Sequence, residues 1–98
     1  MSSFDEIVAS ITKKSASVEP FGKKIKLVLD DKFIVINGTT TPLAVEREDS
    51  EVDITVTGAV ADFARILSKE LNPQMALMTG KLKIKGDMMA AMPLMKLL

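Results

Sequence analysis

The chain has no cysteine, histidine, tryptophan or tyrosine. Without cysteine there are no disulfides, no thiolate nucleophile and no sulfur ligand for a metal. Without histidine the side chain that titrates nearest neutral pH is missing, and with it the commonest transition-metal ligand. Together these absences exclude Ser-His-Asp and Cys-His catalysis and a zinc site built on those ligands. Carboxylate and lysine chemistry remains, but the expectation is that the chain is not an enzyme and carries no cofactor or metal. An excess of charge is also lacking: thirteen basic residues balance thirteen acidic ones. No global field draws the chain to nucleic acid, and at most transient membrane contact is expected. The first residues hold Asp5 and Glu6 on an amphipathic pattern, unlike a signal peptide, and no apolar run is long enough to span a bilayer. A cytoplasmic protein is expected.

What is present is apolar. The 98 residues are 47% hydrophobic and 27% charged, the balance of one globular domain spanning residues 1–98. Ser3 to Glu6 fits a capping box, and Phe4, Ile7, Val8 and Ile11 fall on one face of a helix predicted from Ser3 to Ser15. Lys24 to Leu29 alternates with Ile25, Leu27 and Leu29 on one side. Asp30, Asp31 and Lys32 turn the chain into Phe33 to Ile36, which is apolar on both faces and therefore expected to be covered twice. Asn37-Gly38 signals a turn. Its extension to Thr39 fits a glycosylation pattern but reads simply as a turn. Leu43 to Arg47 and Glu51 to Thr57 are the next strands, and Ala59 to Leu71 is helical with Val60, Phe63, Ile66, Leu67 and Leu71 on one face. Asn72 and Pro73 open a short helix to Met78. Lys81 to Lys85 is a fifth strand, and Asp87 caps a last helix kinked at Pro93. The class is α+β, one sheet with helices packed on one face.

The run Gly80-Lys81-Leu82-Lys83-Ile84-Lys85-Gly86-Asp87, followed by Met88-Met89-Ala90-Ala91-Met92, resembles the sterol carrier protein type two family. So does the preceding Asn72-Pro73-Gln74-Met75-Ala76-Leu77-Met78-Thr79-Gly80. Members often have glycine where Lys69 stands and tryptophan early in the middle strands, which this chain lacks. The resemblance implies a five-stranded, largely antiparallel sheet covered by helices and enclosing an apolar cavity. It implies a partner that is an apolar lipid: sterol, fatty acid, acyl-CoA or phospholipid. Candidate lining residues are Phe33, Val35, Ile54, Val56, Phe63, Leu67, Met75, Met78, Leu82, Ile84, Met88, Met89, Met92 and Met95.

Six of the seven methionines fall between Met75 and Met95. Methionine is unbranched and polarizable, suited to a cavity that accepts several shapes, and it is equally an ordinary core residue. The alternative function is an interaction or homodimerisation module that docks through the apolar final helix. Lys81, Lys83 and Lys85 share a strand face, as do Lys24 and Lys26. That pattern fits a solvated sheet face discouraging edge pairing in preference to a bilayer-docking stripe. Glu46, Glu48, Asp49 and Glu51 lack EF-hand spacing and read as a solvated turn.

Overall fold

The structure, a computed structural model, describes residues 4–40 and 43–86. Helix α1 runs Phe4–Ser15 and buries Phe4, Ile7, Val8, Ile11 and Ser15, the spacing read from the sequence. Asp5 and Glu6 sit in its first turn and Lys13 and Lys14 in its last, each favoured by the helix dipole. The proposed cap Ser3 lies outside the described residues.

The strands are β1 (Lys24–Leu29), β2 (Lys32–Asn37), β3 (Ala44–Glu46), β4 (Ile54–Gly58) and β5 (Leu82–Gly86). They form a five-stranded sheet in the order β3-β2-β1-β4-β5. Three of the neighbouring pairs are antiparallel, and β1 runs parallel to β4, with Ile25 opposite Ile54 and Leu27 opposite Val56. The sheet is therefore mixed, though mostly antiparallel. Strand β4 begins three residues later than the pattern of Glu51 to Thr57 suggests. Asp53 ends the ladder: its N–H donates to the Lys24 carbonyl at 2.9 Å, and its carboxylate accepts the Lys24 N–H at 2.9 Å.

Ile25, Leu27, Leu29, Ile34, Ile36, Ile54, Val56 and Leu82 point to one face of the sheet, where they meet α1, α2 (Val60–Leu67) and α3 (Pro73–Met78) in one hydrophobic core. The double apolar character of β2 has a separate cause. Val35 is fully buried yet outside this core, on the opposite face, between Lys26 of β1 and Glu46 of β3. The Lys26 ammonium lies 4.6 Å from the centre of the Phe33 ring and 3.0 Å from the Asp49 carboxylate. The lysine stem and the segment after β3 thus cover this side, as long charged side chains do.

Helix α2 is shorter than the Ala59 to Leu71 reading. Lys69 turns left-handed at φ 70°. Its N–H donates to the Ile66 carbonyl at 3.1 Å and the Glu70 N–H to the Arg65 carbonyl at 2.9 Å, the pair of bonds that closes a Schellman motif. The glycine-favouring position noted in the family pattern is this one, occupied here by lysine. Helix α3 opens as read: the Asn72 side chain accepts the Gln74 N–H at 2.8 Å, with Pro73 at the first helical position.

Candidate functional site

The apolar layer between sheet and helices is edged by partly buried side chains: Val18, Phe21 and Val45 on the side of α1 and β3, and a second group near α3 and β5. Towards the centre, Phe63 and Ile66 of α2 are buried against Ile54, Val56 and Leu82. Leu82 reaches in because Gly58 faces it: a β-carbon added at Gly58 would stand 2.7 Å from the Leu82 methyl and 3.1 Å from the Lys81 carbonyl. Beyond this, Leu67, Leu71, Leu77 and Ile84 are only partly buried. Helix α3 packs on β5 and holds Ala76 inward with no exposure. It also carries Met75 at 52% and Met78 at 81% exposure. These two stand three residues apart on one helical face. Among the described residues they are the exposed large hydrophobic side chains.

The sequence-derived lining set therefore divides. Ile54, Val56, Phe63 and Leu82 belong to the packed core, and Leu67 and Ile84 edge it. Met75 and Met78 stand exposed on α3. Phe33 and Val35 lie on the far face of the sheet beneath Lys26, so a cavity between sheet and helices does not include them. Strand alternation separates Phe33 and Val35 from Ile34 and Ile36, a distinction that an all-apolar run conceals. Met88, Met89, Met92 and Met95 fall outside the described residues. Two contributors absent from the set are Leu71 and Leu77. Leu71 carries the right period, but the apolar run Met75-Ala76-Leu77-Met78 has no polar face from which to orient Leu77.

The chemistry available near α3 and β5 is dispersion and burial: every one of these side chains is apolar and none titrates. Polar groups gather elsewhere. A cleft of about 520 Å³ opens on the far face of the sheet, lined by Lys24, Glu46, Arg47, Glu48, Asp49 and Ser50. Its mixed charges suit water better than a hydrocarbon chain. The Lys26–Asp49 pair beside it has an Asp49 side chain 64% exposed. Among the described residues, no group of three acidic side chains is arranged to hold a metal ion, and no helix is long and apolar enough to cross a membrane.

Known proteins share both the pattern and the shape. Sterol carrier protein 2 of Homo sapiens is 40% identical over 78 residues, covering 80% of this chain and 13% of that protein. The chain thus spans about an eighth of the length of this curated relative. The crystal structure of sterol carrier protein 2 like 2 from Aedes aegypti superposes with a TM-score of 0.73 at 20% identity, covering 96% of this chain and 94% of the other. The solution structure of the palmitated form of that mosquito protein gives a TM-score of 0.71 at 22% identity, over 98% and 95% of the two chains. Residues 4–98 match the SCP-2 sterol transfer family, and the chain belongs to it.

Proposed function

We propose that this chain is a non-catalytic lipid carrier. It takes the hydrocarbon part of a lipid between sheet and helices at the α2–α3–β5 end and admits it past Met75 and Met78. The observation that carries this reading is the placement of Met75 and Met78 where Leu67, Leu71, Leu77 and Ile84 leave the apolar layer incompletely sealed. Neighbouring exposed methionines beside partly buried leucines form the kind of apolar surface that an apolar ligand can cover.

The energy scale is adequate without a polar contact. Burying about sixteen methylenes at about 0.8 kcal/mol each gives on the order of 12 kcal/mol. Association costs offset a few kcal/mol of this, which leaves affinity near the micromolar range, about 8 kcal/mol. Family membership and the palmitated mosquito relative both favour a fatty acyl or sterol ligand.

The test is uptake of a fluorescent fatty acid and of a fluorescent sterol by delipidated protein, wild type against Met75→Lys/Met78→Lys. Both positions are exposed, so the variant should unfold in urea with stability changed by less than about 0.5 kcal/mol. Its affinity for the probe should fall about tenfold or more, because two ammonium groups then stand where the chain enters. Unchanged affinity in a folded variant removes this entrance from the reading. Wild-type protein that takes up neither probe and carries no lipid by native mass spectrometry overturns the carrier function itself.

A further inference from the structure

Peroxide chemistry has few places to act in this chain. Cysteine, tryptophan, tyrosine and histidine are all absent, which leaves the methionine thioether as the readily oxidised side chain. Among the described residues the methionines are Met75 and Met78, both on α3 and exposed by 52% and 81%. Neither belongs to the hydrophobic core, whereas Ala76 and Leu77 of the same helix pack on it. The two thioethers share a helical face. Helix α3 has no acidic residue in its first turn and no basic residue in its last, so no charge of its own offsets a change of polarity there. Oxidation at these positions alters the surface of the helix and leaves its core contacts in place.

We propose, resting on the carrier reading of this surface, that Met75 and Met78 are a reversible oxidation site through which a peroxide lowers the affinity of the chain for its lipid. A sulfur lone pair attacks one peroxide oxygen. The S–O bond forms as the O–O bond breaks, and the leaving hydroxide takes a proton and departs as water. Each sulfur gives up an electron pair and the peroxide is reduced by it. The product is a polar sulfoxide where the lipid enters. Water satisfies that oxygen while the site is empty, but a hydrocarbon chain lying against it displaces the water and leaves the oxygen without a donor. The penalty therefore falls on the bound state and not on the fold. Thiol-dependent methionine sulfoxide reductases reverse the step: two thiols become a disulfide and the oxygen leaves as water. The sulfoxide sulfur is chiral, so full reversal takes both epimer-specific reductases.

The delipidated full chain is oxidised with hydrogen peroxide, freed of the oxidant and titrated with a fluorescent fatty acid, each protein being compared with itself before and after. Peptide mass spectrometry should find sulfoxide at Met78 sooner than at Met75, the order of their exposure. In wild type the affinity should fall about fivefold or more, with the urea midpoint almost unchanged, and return on treatment with both reductases. In Met75→Leu/Met78→Leu, which keeps apolar bulk and removes both sulfurs, oxidation should change the affinity by less than about twofold. The remaining methionines are common to the two proteins, so the difference belongs to positions 75 and 78. Unchanged affinity in wild type carrying both sulfoxides, or equal loss in the two proteins, overturns the switch and leaves the carrier reading standing. A loss that tracks a lowered urea midpoint is damage to the fold and also overturns the switch. Wild type that takes up no probe before oxidation overturns the carrier reading and the switch with it.

Discussion

Two of the described residues, Asp30 and Lys69, hold a left-handed backbone without being glycine, and they do so for different reasons. Lys69, at φ 70°, terminates α2. A β-carbon in this region crowds the following carbonyl, so a lysine here is strained by about 1–2 kcal/mol relative to glycine. Glycine returns part of that through the greater freedom it gives the unfolded chain. Lys69→Gly should stabilise the domain by about 0.5–1 kcal/mol in urea denaturation. Lys69→Ala, which keeps the β-carbon, should not stabilise it; if both variants gain equally, the backbone account is wrong and the lysine side chain is the source. Asp30, at φ 56°, lies in the two-residue turn between β1 and β2. Aspartate tolerates that conformation better than most residues.

At the level of elements, Asp30 also explains how α2 begins. Ala59 occupies the N-cap and has no side chain to offer. The Asp30 carboxylate, thirty residues away in sequence, accepts the Val60 N–H at 3.2 Å, while the Asp30 N–H donates to the Gly58 carbonyl at 3.0 Å. A hairpin turn thus supplies the cap of a helix. Asp30→Ala removes the acceptor and retains the unfavourable φ, so it should destabilise by about 1–2 kcal/mol. Asp30→Asn retains an oxygen and tolerates the conformation, and should lose only a few tenths of a kcal/mol from the lost charge. Equal losses in the two variants would sink the capping role. Local pattern reveals α1 because its apolar period and terminal charges all lie within twelve residues. It cannot reveal the start of α2, whose cap comes from another element. Nor can it reveal the stop at Leu67, because the apolar period continues through Leu71 past the turn at Lys69. The same limit applies to β2: Phe33, Ile34, Val35 and Ile36 show double coverage, but not that one cover is the core and the other is Lys26. At the candidate site, Met75 and Met78 are visible as methionines in the sequence. Their exposure, and the placement of Leu77 beside the core, depend on α3 packing against β5.

Over the whole molecule, a domain of 98 residues has little stability to spare, and apolar side chains left partly exposed near α3 and β5 add nothing to it. On the proposed carrier function, a lipid bound there would act as part of the core. It binds the folded state and not the unfolded chain, so it stabilises by mass action, about 2.7 kcal/mol when free ligand is a hundredfold above Kd. For a domain of this size each kcal/mol moves Tm by about 4–8 °C. Delipidated protein should therefore melt about 10–20 °C lower than protein saturated with a long-chain fatty acid. The increment should shrink as the acyl chain is shortened, since each methylene contributes about 0.8 kcal/mol to binding. In Met75→Lys/Met78→Lys the delipidated Tm should match wild type while the lipid-dependent increment largely disappears. That combination separates a carrier from a domain that merely adsorbs fatty acid. Surface adsorption also reaches exposed and unfolded apolar segments, and it lowers Tm or leaves it unchanged whatever stands at positions 75 and 78.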